Sequence, residues 1–159
     1  MSGVGQKERA TQNRVIELFK SKLKYTYIGN LHDRENSNIE KAKLNKYLQR
    51  QGYSAELIRR AMNALLEADQ RPDLYQANKE VYSLLRYGAS VKEDVSVHHQ
   101  TVKFINWEEP HKNDFYIAEE VTIRGEHTKR PDIVLYVNGI AVCVLELKSS
   151  VISVSKGIR

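Results

Sequence analysis

One cysteine and three prolines in 159 residues leave little to staple or break the chain. A single thiol closes no internal disulfide and builds no zinc site by itself, so packing has to hold the fold. Long hydrophobic runs are also missing. The longest, Ile140 to Leu145, falls far short of the ~20 apolar residues of a membrane-spanning helix, which excludes that reading. The N-terminus, Met1-Ser-Gly-Val-Gly-Gln-Lys-Glu-Arg9, has charge but no apolar segment behind it, so no secretory signal is expected and a reducing cytoplasm is the expected compartment. No Gly-x-x-x-x-Gly-Lys-[Ser/Thr] loop occurs, so no ATP-binding residues are expected here. The histidines His32, His98, His99, His111 and His127 lack metal-ligand spacing. Cys143, inside an apolar stretch, is expected to be inert core.

What is present is an ordinary globular composition, 41% apolar and 28% charged, which argues against disorder. Its length suits about one domain. The net charge of +5 is lopsided. Residues 1–80 hold 15 Lys/Arg against 10 Asp/Glu, whereas residues 81–159 hold 10 of each. Such an asymmetry favours a polyanionic partner, nucleic acid before an anionic membrane surface, or else simply solubilises the chain. The basic residues of the helical half, Lys41, Lys43, Lys46, Arg59 and Arg60, read first as a solvated helix face.

Apolar residues at three- and four-residue steps predict a helix over 7–22, followed by a β-prone run at 25–29. Further helices are expected at 39–51, at 54–68 with Ser54 as N-cap, and at 74–87 between the Pro72 break and Gly88. Strands are expected at 91–97 and 101–105 with His98-His99-Gln100 as the turn, and at 115–123. Two more, 132–137 and 140–147, are joined by the hairpin turn Asn138-Gly139. The last is apolar nearly throughout, as for a strand covered on both faces. The layout is α/β or α+β, with helices first and a largely antiparallel sheet second.

That last hairpin gathers chemistry. Residues two apart on a strand share a face, so Glu146 and Lys148 project together, and the hairpin returns them beside Asp132. Two carboxylates held close repel unless a cation lies between them, and oxygen donors favour a hard ion such as Mg²⁺, which binds through one or two carboxylates plus substrate phosphate. A lysine beside them can orient water or stabilise charge on a phosphate. Two readings follow: metal-dependent phosphodiester hydrolysis, or a routine surface salt bridge at a strand edge. Lys129 and Arg130, just upstream, suit the phosphate backbone or simply solvent.

Pro131-Asp132 followed by Glu146-Leu147-Lys148 matches the PD-(D/E)xK nuclease pattern. The wider run Lys129-Arg-Pro-Asp-Ile-Val-Leu-Tyr-Val-Asn-Gly-Ile-Ala-Val-Cys-Val-Leu-Glu-Leu-Lys148 resembles the N-terminal endonuclease domain of the R subunit (HsdR) of type I restriction enzymes. Glu8 to Ile16 resembles that subunit's opening helix, and Asn78 to Gly88 and Asp114 to Val121 resemble its middle segments. The resemblance implies a restriction-endonuclease-like α/β fold, a mixed sheet flanked by helices with a helical insertion at about 38–88, all in one domain over 1–159. It implies a bacterial or archaeal type I site-specific deoxyribonuclease that cuts double-stranded DNA with Mg²⁺. ATP-driven translocation would belong to motor domains elsewhere in a longer subunit, and the methyltransferase (M) and specificity (S) subunits would be its partners. Asp132 and Glu146 would carry the metal, and Lys148 would be the catalytic lysine. The fold often adds a carboxylate from the first helix. Glu8 is that candidate, because the later position that is sometimes Glu in relatives is Gln12 here. A Gln-x-x-x-Tyr element that usually follows is not reached before Arg159, although Ser153 to Arg159 resembles the run leading to it. The competing expectation is therefore a non-catalytic DNA-binding or subunit-docking module that keeps the nuclease fold.

Overall fold

The structure is a computed structural model that describes residues 3–94, 96, 98–123 and 128–147, with side chains from residue 8 onward. Lys148, Gly125, His127 and the run 153–159 lie outside the described residues. In chain order the elements are α1 (Gly3–Ser21), β1 (Thr26–Asn30), α2 (Lys41–Arg50), α3 (Ala55–Asp69), α4 (Leu74–Tyr87), β2 (Ala89–Val91), β3 (Gln100–Val102), a 3₁₀ turn (Pro110–Lys112), β4 (Phe115–Glu119), β5 (Ile133–Val137) and β6 (Ile140–Leu145). They fall into two compact units, Met1–Ile39 with Phe115–Arg159, and Glu40–Asp114.

The first unit is built on a mixed sheet in the order β1-β4-β5-β6. β1 runs parallel to β4, while the β4–β5 and β5–β6 pairs are antiparallel. Alternation along β5 sorts its side chains to two faces. Ile133 and Leu135 join Ile117 and, from α1, Ile16, with Val15, Phe19, Tyr25, Leu145 and Leu147 around them. Val134 and Tyr136 point the other way, to Ala118, Leu31 and Val121. The steps of four and three from Gln12 to Ile16 to Phe19 thus aim one stripe of α1 at the sheet. The β5–β6 turn is the expected Asn138-Gly139, with φ of 53° and 92°. Positive φ at both central residues matches the twist of the flanking strands and is easiest for asparagine and glycine.

In the second unit α3 packs against α2, α4, β2 and β3. Ser54 caps α3 by accepting from the Leu57 N–H, and Asp73 caps α4 by accepting from Tyr75 and Gln76. Gly88 ends α4 at φ 87°, where a Cβ would stand 2.7 Å from the Val102 carbonyl oxygen, so only glycine lets β3 approach this closely.

Four expectations change. The 91–97 and 101–105 hairpin is replaced by β2 and β3, paired Ala89 to Val102 and Val91 to Gln100, so Gln100 lies in a strand rather than a turn. The strand beginning at 115 ends at Glu119 because Glu120 turns left-handed at φ 51°. β6 is not covered on both faces. It is the outer strand of the described sheet, with Val142 49% and Val144 54% exposed, and Cys143 is exposed rather than core. A bulge contributes, since Leu135 pairs with Cys143 while Tyr136 pairs with Ala141 and Val142 is skipped.

Candidate active site

Asp132 sits immediately before β5 and is half-buried. Its Oδ2 accepts the backbone N–H of Leu147 at 2.6 Å, while Ile133 pairs with Leu145. Glu146, exposed, lies between those two tied positions, so the hairpin brings Asp132 and Glu146 to the same end of the β5–β6 pair. Leu147 turns inward toward the Ile133 cluster.

The Asp132 backbone is held as well. Its carbonyl accepts from the Glu120 N–H at 3.0 Å and from Gln12 Nε2 at 3.2 Å. The first of these bonds depends on the left-handed turn at Glu120, a conformation that costs a non-glycine residue about 1–2 kcal/mol and that tends to persist where surrounding contacts fix it. Glu8 lies one helical turn before Gln12, half-buried on the same stripe, and Gln12 is the α1 residue bonded to Asp132.

Beneath Asp132 lies an acid that the sequence reading passed over. Glu119 is 4% exposed, and its Oε1 accepts from Tyr27 Oη at 2.5 Å and Arg9 Nη2 at 3.3 Å. Its Oε2 receives Gln12 Nε2 at 3.0 Å and Arg9 Nη1 at 2.8 Å. A buried carboxylate is tolerated when paired and saturated in this way. Burial, the bond to Glu119 and its charge push the Tyr27 phenol up to about 12, with Arg9 opposing. Glu120 takes Arg130 Nε at 3.0 Å, and Arg130 also lines a cavity of about 750 Å³ with His32, Asp33, Thr122 and Thr128. Lys129 is exposed and pairs through its backbone with Ile123. One signal for Glu119 was available. With strand period two it falls in phase with Ile117 on the face that packs under α1, a carboxylate where an apolar residue would be usual.

The donor set is all oxygen. Asp132 keeps Oδ1 beyond its bond to Leu147, and Glu146 is exposed beside it, which fits a hard divalent cation better than a soft one. Among the described residues no group of three or more His, Cys, Asp or Glu is clustered to hold a metal.

A sequence model described as type I restriction enzyme R protein N terminus matches residues 5–159. The chain belongs to this family. It is also 31% identical over 84 residues to a Methanocaldococcus jannaschii protein named as a type I restriction enzyme MjaIXP endonuclease subunit, a match covering 49% of this chain and 8% of that protein. The matched segment therefore covers less than a tenth of that relative's length. No solved structure matches it. The mixed sheet and helices agree with a restriction-endonuclease-like α/β fold. Among the described residues no helix is long and apolar enough to cross a membrane.

Proposed function

We propose that this R-protein N-terminal region is a Mg²⁺-dependent endonuclease acting on double-stranded DNA, in an assembly where motor domains outside these residues supply ATP-driven translocation. The methyltransferase and specificity subunits are its proposed partners. The reading rests on the placement of Asp132, fixed at both carboxylate and carbonyl beside Glu146, in a chain of this family. Asp132 and Glu146 would hold the metal, which when bound polarises a phosphoryl oxygen and acidifies a water. Lys148 would donate to the charge that builds on the scissile phosphate. Arg130, anchored by Glu120, and Lys129 would hold the DNA backbone on either side.

The test is cleavage of duplex DNA by the intact enzyme carrying Asp132→Ala, Glu146→Ala or Lys148→Ala. Each is expected to lose cleavage by about 100-fold or more while ATP hydrolysis persists. Cleavage near the wild-type rate in any of them refutes the assignment. One observation favours the non-catalytic DNA-binding or docking alternative. On α4, Tyr75, Lys79, Tyr82 and Arg86 form one exposed stripe, aromatic and basic in alternation, of a kind suited to a partner surface. That reading predicts DNA or subunit binding with no cleavage by the wild type.

A further inference from the structure

The proposed chemistry leaves Gln12 and Glu119 without a task, although both are nearly fully buried, at 5% and 4% exposed. The Gln12 amide nitrogen stands among three oxygens from three residues: Glu119 Oε2 at 3.0 Å, the Asp132 carbonyl at 3.2 Å and Glu120 Oε1 at 3.5 Å. All three oxygens are acceptors and the amide has two hydrogens, which the two shorter contacts to Glu119 and Asp132 use, so the amide is oriented nitrogen-inward; the flipped form would set oxygen against oxygen. The charges nearby are already balanced. Glu119 has Arg9 and Glu120 has Arg130. A carboxylate at position 12 would face two carboxylates and a carbonyl where the side-chain cations among the described residues, Arg9 and Arg130, are already engaged, whereas a neutral donor completes the set.

We infer that Gln12, braced by Glu119, is a positioning residue: it locks the Asp132 peptide to α1 and so aims the Asp132 carboxylate at the metal position. The inference rests on the proposed role of Asp132 as a metal ligand. Three features support it. The Asp132 carbonyl is one of only two groups through which the described structure fixes that residue, the other being Oδ2 on Leu147. Glu119 has all its acceptor positions filled from α1 and β1, so it holds Gln12 rather than a ligand. Partners that orient a metal ligand commonly govern affinity and rate without touching the ion.

The experiment uses Gln12→Met, which keeps the length and removes the donor, and Gln12→Glu, which keeps the shape and reverses the bond. Mg²⁺ alone is titrated into the full chain by calorimetry, amide hydrogen exchange is followed at Glu120 and Leu147, and kcat and KM are measured in the intact enzyme. Gln12→Met is expected to weaken Mg²⁺ binding about tenfold, to lower kcat with KM unchanged, and to speed exchange at those two amides relative to the rest of the sheet. Gln12→Glu is expected to lose more than Gln12→Met on each readout. A folded Gln12→Met with Mg²⁺ affinity, kcat and both amides within about twofold of wild type overturns the inference. Should both variants fail to fold, Tyr27→Phe, which removes one donor from Glu119 at the protein edge, takes their place. It is expected to weaken Mg²⁺ binding by about threefold, and unchanged binding overturns the inference. Asp132→Ala separates the two levels. If it still binds Mg²⁺ like wild type, the metal-site reading fails; if it does not while Gln12→Met does, only the positioning role fails.

Discussion

Replacing Ile133 with alanine tests whether β5 is the buried spine that carries Asp132. Ile133 is fully buried, between Ile16 of α1, Ile117 of β4 and Leu135. The change deletes three carbon atoms, at about 0.8 kcal/mol of lost transfer energy each, or about 2.4 kcal/mol. A helix and a sheet hemming the site limit its collapse, so the cavity adds about 1 kcal/mol, and the sum of about 3–4 kcal/mol lies within the usual range for such truncations. The matched control is Val144→Ala on β6, where the side chain is 54% exposed, with an expected loss below about 1 kcal/mol. Urea unfolding followed by far-ultraviolet circular dichroism measures both. At a typical slope of about 1–3 kcal/mol per molar urea, Ile133→Ala should unfold roughly 1–4 M earlier than wild type and Val144→Ala nearly with it. An Ile133→Ala loss no larger than that of Val144→Ala would refute the packing argument for β5.

Two further outcomes are expected. Cys143, exposed on β6, should react with an aromatic disulfide reagent in the folded protein nearly as fast as in urea; protection until unfolding would show that the outer strand is covered. The folded-state pKa of Tyr27, raised to about 12 from 10.0, keeps the phenol neutral longer in the folded state than in the unfolded chain. Its stabilising contribution is therefore complete below pH 10 and is lost as pH rises through 12. The phenolate difference spectrum between wild type and Tyr27→Phe should show this late titration, and a midpoint near 10 would contradict the bond to Glu119.

Where the sequence foretold the structure, the cause was local. The α4 boundaries follow from Asp73 as cap and Gly88 as stop, and the β5–β6 turn from Asn138-Gly139, each a matter of a few adjacent dihedrals. The same turn returns residues 145–147 beside Asp132, but the final register was not legible from it, because the bulge at Val142 shifts the pairing beyond it by one residue. What escaped was set across long separations. Parallel pairing of β1 with β4 joins residues about ninety apart, and no local pattern encodes it. The exposure of β6 depends on its outer place in the sheet and on the bulge at Val142, whereas its composition alone resembles a central strand. Glu119 escaped because its partners Arg9, Gln12 and Tyr27 lie 92 to 110 residues away. That separation also explains Gln12. Read along α1 it is a glutamine at a position where a carboxylate would serve a metal; in the folded chain two paired carboxylates already stand there, and a neutral donor is the residue that joins them to Asp132.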